Sequence, residues 1–198
     1  MTKPNGRSIM NSQFYMWEGD LSEDEVNSII TECEYYKLEE AAVGYGPEGR
    51  LNTTVRSSEV RWINQEDPNS RFIANLVWNY TLQANRYAFG VDMRQIGDIQ
   101  YTTYNAANEG HYDWHIDTFI GNSSASDRKL SVTIQLSDSD DYEGGDFILD
   151  TNQKPPRESL RKKGTVLVFP SFMRHKVEPV TKGIRKSLVA WIEGPHWR

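Results

Sequence analysis

A single cysteine, four histidines and the lack of any apolar run near about 18 residues set the first limits on this chain of 198 residues. Cys33 cannot form a disulfide within the chain, so a reducing compartment is expected, and the location is read as cytoplasmic. One thiolate is also too few for the usual structural zinc site. Without a long apolar run there is no candidate transmembrane helix, and the first 20 residues lack a signal-peptide core, so the expectation is a soluble protein with no membrane partner. A basic excess is missing too: 22 Lys and Arg stand against 28 Asp and Glu, a formal charge of -6. That balance argues against a nucleic-acid partner, which would need a clustered basic surface. The one short basic run, Arg161-Lys162-Lys163 before Gly164, reads as a solvated turn. Internal repeats, low-complexity tracts and a linker are absent as well, so residues 1–198 are read as one domain.

Two helices are predicted in the first half. "LSEDEVNSIITECEYYKL" opens with Ser22 and Glu25 in a reciprocal capping pattern, and Val26, Ile29, Ile30 and Cys33 follow at helical spacing. "NSRFIANLVWNYTLQANRYAF" carries Phe72, Ile73, Leu76, Val77, Tyr80, Leu82 and Tyr87, with Asp67-Pro68-Asn69 before it and Gly90 after it. From residue 93 onward short β-rich runs alternate with turns such as "GNSSASD" and "TNQKPPRES". With "SSEVRWI" at 57–63 they make about eight strands, the number of a jelly roll. The fold class is therefore α+β: a double-stranded β-helix with the N-terminal helices packed on one face.

The chemistry concentrates in "GHYDWHIDTF", which offers two His-x-Asp pairs, His111/Asp113 and His115/Asp117. Residues two apart in a strand share a face, so an imidazole and a carboxylate can meet one cation. The tripeptide alone is common; a third candidate, His175 in "VLVFPSFMRHKVEPV", strengthens it. Two imidazoles and a carboxylate leave open positions on a metal, as in non-haem Fe(II) oxygenases, and catalytic zinc can use the same set. His196 has nothing to raise it above a surface residue. Ten residues past His175 stands Arg185, whose planar fork suits an anionic co-substrate facing an open metal, a surface salt bridge being the plainer alternative. Ser187 shares its strand face. In "LSVTIQL" the apolar set alternates with Ser131, Thr133 and Gln135; that polar face meets solvent in an ordinary sheet, but in a wet barrel Thr133 and Gln135 would line the pocket.

Together Tyr104, Gly110, Tyr112, His115-x-Asp117, Arg128, "YEGGDFIL", "KGTVLVFPSFMRHKVEPVTKGIRKS" and Trp191 resemble the Fe(II)/2-oxoglutarate-dependent dioxygenases of the prolyl 4-hydroxylase type, including the hypoxia-sensing prolyl hydroxylases. "VRSSEVRWI" is similar to the strand before the long helix in the latter group, and the likeness spans residues 55–193. In that family a Tyr commonly stands three residues before the metal-binding His, as Tyr112 does before His115. The resemblance thus implies His115, Asp117 and His175 as Fe(II) ligands, with His111 and Asp113 at the rim. It implies Arg185 as the anchor for the distal carboxylate of 2-oxoglutarate, with Tyr104 assisting. This chain has Gln135 where the hypoxia-sensing relatives carry Tyr, and one extra residue between Tyr104 and His115. The activity so implied couples decarboxylation of 2-oxoglutarate, giving succinate and CO2, to hydroxylation of a substrate C–H, with ascorbate as reductant. A peptidyl proline in a peptide or protein is the leading substrate, a small molecule the alternative. Trp114, Trp191 and Tyr101 are candidates to shape the cavity, and the loops "AAVGYGPEGRLNTTV" and "DTFIGNSSASDRK" to form its mouth. Two other readings share the scaffold: a non-catalytic jelly-roll binding module, and a cupin-like metalloenzyme using no keto acid, which would leave Arg185 without a role.

Overall fold

The computed structural model describes residues 12–41, 52–118 and 125–197; most of the two mouth loops, 42–51 and 119–124, lies outside the described residues. Among the described residues twelve strands form two sheets. The larger runs in the order β1 (Tyr15–Trp17), β10 (Val166–Pro170), β7 (Asp127–Gln135), β12 (Val180–Gly194), β5 (Gln95–Asn105), β4 (Glu59–Trp62), β2 (Glu39–Glu40), and β8 (Tyr142–Gly144) also pairs with β12. The smaller is β3 (Arg56–Ser57), β6 (His111–His115), β11 (His175–Val177), β9 (Phe147–Leu149). All pairings are antiparallel. The eight runs expected are divided between the sheets, β4, β5, β7, β10 and β12 in the larger and β6, β9 and β11 in the smaller, and the two sheets together make the jelly roll.

Alternation along the central strands separates two environments. Leu130, Val132 and Ile134 of β7, Leu188, Ala190 and Ile192 of β12, and Ile99 and Tyr101 of β5 pack outward against the helices α1 (Glu23–Glu34) and α2 (Arg71–Ala84). The intervening Thr133, Ser187, Val189, Trp191, Gln100 and Tyr104 turn inward and line a cavity. Helix α1 begins as predicted, with Ser22 and Glu25 exchanging both capping bonds, and it buries Val26, Ile29 and Cys33. Ile29 and Ile73 are fully buried and contribute about 2–3 kcal/mol each by removal from water.

Three expectations need correction. On the second helix Phe72 and Leu82 stay exposed because the buried stripe runs through Ile73, Val77, Thr81 and Ala84, and Tyr87 stays exposed because the α-helix ends at Ala84 and a π-helical turn, Asn85–Phe89, shifts the phase beyond it. That turn stops at Gly90, whose φ of 62° supplies the left-handed C-cap, while the Asn85 side chain holds both backbone groups of Val91. The basic run is not a solvated turn throughout: Arg161, the last residue of the short helix α3 (Arg157–Arg161), is buried against Tyr142 and Asp146. Tyr101 packs among the helix-side residues rather than in the cavity. Among the described residues no helix is long and apolar enough to cross a membrane.

Candidate active site

Strand β6 is not regular. His115 pairs with His175 and Tyr112 with Val177, so two residues of β6, Asp113 and Trp114, lie opposite the single Lys176 of β11. This bulge shifts the alternation by one residue. Tyr112 and His115 therefore share the inner face, their rings stacked with centroids 3.5 Å apart. His111 and Asp113 fall on the other face. Asp113 is exposed, and His111 is bonded to the carbonyls of Glu109 and Thr54. Trp114 also faces away from the cavity, under the cations of Arg174 and Lys176.

His115, Asp117 and His175 offer ligand atoms that all lie within 4.8 Å of one another, a grouping that could hold a metal ion. Nε2 of His115 stands 3.8 Å from Asp117 Oδ1, and Nε2 of His175 stands 3.5 Å from Asp117 Oδ2. Nδ1 of each ring lies against a backbone carbonyl, Asp113 O at 2.7 Å and Met173 O at 2.9 Å. A carbonyl only accepts, so each Nδ1 must carry the proton and each Nε2 presents a lone pair to the common centre. Burial, then the neighbouring His175, pushes the His115 pKa down to about 4, which keeps the ring neutral as a ligand must be. Burial alone would resist ionisation of Asp117, but the positive charge that the His175 and His115 rings take up when protonated in acid, with a 2.6 Å hydrogen bond from Ser131 Oγ, outweighs it and holds the carboxyl below its ordinary range. Ser131 is in turn 3.0 Å from Ser171 Oγ, and Ser171 O accepts the Asp117 amide. The donor set is closed on one side by protein and open on the other to a cavity of about 730 Å³. Two neutral imidazoles and a carboxylate fit a divalent first-row ion such as Fe(II).

Arg185 is 3% exposed and lines the same cavity, its guanidinium 5.6 Å from the Tyr104 ring. Gly145 lies behind it: a Cβ there would sit 3.3 Å from Arg185 Cδ. Thr133 and Ser187, picked out by strand alternation, and Tyr104, picked out by the resemblance, all line the cavity. Gln135 shares the strand face of Thr133 but does not line the cavity; its amide donates to Ser137 O and Tyr142 Oη. Trp191 does line it, with Arg128 stacked 3.9 Å above its ring and Trp62 6.3 Å away. His196 is an exposed partner of Asp127. Sequence reasoning missed Arg56 and Trp62 as cavity residues. The period of two in "VRSSEVRWI" carried the signal, since Arg56, Val60 and Trp62 are even-numbered neighbours and all three line the cavity.

Residues 99–193 match the family model of the 2OG-Fe(II) oxygenase superfamily. A PKHD-type hydroxylase of Synechococcus sp. (strain CC9311) is 44% identical over 85 residues, 43% of this chain and 37% of that protein. Another, from Synechococcus sp. (strain CC9605), is 30% identical over 149 residues, 74% of this chain and 65% of its own length. The chain thus spans less than two thirds of either relative. A prolyl-4-hydroxylase of Pseudomonas putida superposes with a TM-score of 0.72 at 17% identity, over 94% of this chain and 95% of that one. A Trichoplax adhaerens prolyl hydroxylase, solved in complex with a hypoxia inducible factor peptide fragment, gives 0.71 at 16% identity over 92% and 84%. The match from β5 to β12 makes this chain similar to the 2OG-Fe(II) oxygenase superfamily, and the fold that surrounds it has the prolyl 4-hydroxylase type of architecture.

Proposed function

We propose that this protein is an Fe(II)- and 2-oxoglutarate-dependent dioxygenase that hydroxylates a peptidyl prolyl residue, releasing succinate and CO2, and that residues 1–198 act as one catalytic domain. His115, Asp117 and His175 are its metal ligands, and Arg185 is the anchor of the co-substrate. The reading rests above all on the joint geometry of the two rings: both Nδ1 atoms are spent on carbonyls, so both Nε2 lone pairs converge with Asp117 on one point beside a buried guanidinium.

When bound, the metal supplies oxygen activation, chemistry that side chains alone cannot perform. The chain contributes position and shelter. Asp113 O and Met173 O fix the tautomers of the two histidines, while Ser131 orients the aspartate. Arg185 offers a fork to the far carboxylate of 2-oxoglutarate, and Ser187, Thr133 and Tyr104 supply hydroxyls along the same wall. Phe147 and Phe169 flank His175 and keep water from that side of the centre. At the mouth Trp62 and Trp191 offer flat apolar surfaces suited to a pyrrolidine ring. The peptide in the Trichoplax neighbour supports a peptide substrate, and ascorbate serves as the reductant that keeps the metal ferrous.

The test is direct. Anaerobically reconstituted protein binds one Fe(II) per chain, consumes 2-oxoglutarate with ascorbate present, forms succinate, and adds 16 mass units to proline peptides. His175→Ala loses the metal and the turnover together. No stoichiometric iron and no succinate would leave a binding module; turnover without 2-oxoglutarate would point to a different metalloenzyme.

A further inference from the structure

Three arginines are buried among the described residues, Arg56, Arg161 and Arg185. Arg161 has its carboxylate, Asp146 at 2.8 Å. The other two line the cavity and have none. Arg185 is accounted for by the co-substrate. Arg56 is not, and a buried cation with only neutral partners is costly unless something else compensates it.

The surroundings of Arg56 are fully specified. Nε donates to Ser58 Oγ at 2.9 Å, Nη2 donates to Gln100 Oε1 at 2.7 Å, and the guanidinium lies 4.6 Å from the centroid of Tyr112. His115 is stacked on Tyr112, so the cation sits one ring away from a ligand of the metal. Nη1 makes no hydrogen bond to the described residues. Glu39 and Glu40 stand on the exposed rim of the cavity, and neither forms an ion pair with Arg56; Glu39 is bonded to Lys37. Arg128, the third guanidinium of the cavity wall, is matched by Asp98 at 3.0 Å. With the centre assembled, a divalent metal and Arg185 balance Asp117 and the dicarboxylate. Arg56 is then the cation left over.

Resting on the proposed oxygenase reading, we infer that Arg56 recognises a carboxylate on the primary substrate, so that the enzyme takes a proline carrying an acidic group close to the carbon attacked. Two sources present that group: an acidic side chain next to the proline in a peptide, or the free α-carboxylate of a C-terminal proline. Arg56 has the right form for either. Its stem is fixed by Ser58 and Gln100, its plane is supported by Tyr112, and its free edge opens on the cavity, so little is lost in ordering it when the anion arrives.

The experiment uses the full chain loaded with Mn(II) and 2-oxoglutarate under anaerobic conditions. Binding is read from tryptophan fluorescence for two pairs of peptides. One pair places Glu or Gln after an internal proline; the other ends in proline as the free acid or as the amide. The expected result is a preference of about tenfold or more for the acid in one pair, which also names the source. In Arg56→Gln that ratio falls to near one, and in Arg56→Lys it is partly retained. Equal affinity for acid and amide in both pairs, or no binding of any peptide at millimolar concentration, overturns the inference, and this comparison needs only the wild-type protein should the variants fold poorly. A variant that keeps the acid preference but weakens 2-oxoglutarate binding also overturns it, by assigning Arg56 to the co-substrate. Succinate formation without any peptide reports the oxygenase reading separately, so the two can fail independently.

Discussion

Replacing Arg161 with Met tests how Arg185, the proposed co-substrate anchor, is supported from behind. The guanidinium donates to four groups: Gly144 O at 2.8 Å, Asp146 Oδ1 at 2.8 Å, Tyr142 O at 2.9 Å and Ser139 O at 3.1 Å. It also lies 4.1 Å from the Tyr142 ring. Methionine keeps most of the stem and removes every one of these bonds. Hydrogen bonds from a charged donor contribute about 1.5–3 kcal/mol each, but bonds from one group are not additive. A broken buried ion pair costs about 3–5 kcal/mol. Both side chains are nearly buried, 10% and 13% exposed, so little solvent screening applies. Asp146 keeps Arg157 as a partner, which favours the low end, about 3 kcal/mol. For a chain of this size that is a fall in Tm of about 6–12 °C, measured by calorimetry or by denaturant titration with iron absent. Because the turn held by Arg161 includes Gly145, where an added Cβ would meet Arg185 Cδ at 3.3 Å, the KM for 2-oxoglutarate should also rise. A loss below about 1 kcal/mol, with Lys182→Ala as the exposed control showing the same, would refute the reasoning.

Four further outcomes follow from the geometry. Ser131→Ala removes the 2.6 Å bond to Asp117 and should weaken metal binding by about 10–100-fold in a chelator competition; unchanged affinity would separate Ser131 from the site. Arg185→Gln should raise the KM for 2-oxoglutarate by about 30-fold or more in a succinate assay, and a change under threefold would remove its anchoring role. Gly145→Ala places a Cβ at a φ of 62° and 2.8 Å from Val180 Cγ2, so a stability loss of about 1–2 kcal/mol is expected on denaturation, and none if the turn relaxes freely. Burial raises the pKa of Asp127, but the Trp197 amide and His196 outweigh it and leave the carboxyl depressed. A depressed carboxyl stabilises fully above its unfolded value and loses that contribution as pH falls through the folded one. Acidification below about pH 4 should therefore release the Trp197 amide, the change around its indole being read in fluorescence, and Asp127→Asn should abolish the step.

The parts legible in sequence were those set by local periodicity. Ser22 with Glu25, and Leu130, Val132 and Ile134 against Ser131 and Thr133, announced a helix start and a two-faced strand without tertiary information. What periodicity could not give was any departure from its own period. The extra residue in β6 puts His111 and Asp113 outside, and the π-turn at Asn85 exposes Tyr87; both are phase shifts forced by neighbouring elements. Long-range pairing was equally hidden. Nothing near Arg161 in the chain announces Asp146, and nothing near Arg56 announces Gln100. His115 and Asp117 were separable from the adjacent pair only through the family spacing that includes Tyr112.

Strand β12 has one property that bears on what can enter. Arg185, Ser187, Val189 and Trp191 project from it onto the same wall, the first beside the hydroxyls of Thr133 and Tyr104 and the last beside Trp62. At about 3.3 Å per residue the six steps from Arg185 to Trp191 measure roughly 20 Å. The strand is hydrogen-bonded on both edges, to β5 and β7, so this span cannot stretch. It is a ruler: the separation between Arg185 and Trp191 is set by the backbone, so a molecule that reaches from one to the other is selected by length before any side chain makes a choice.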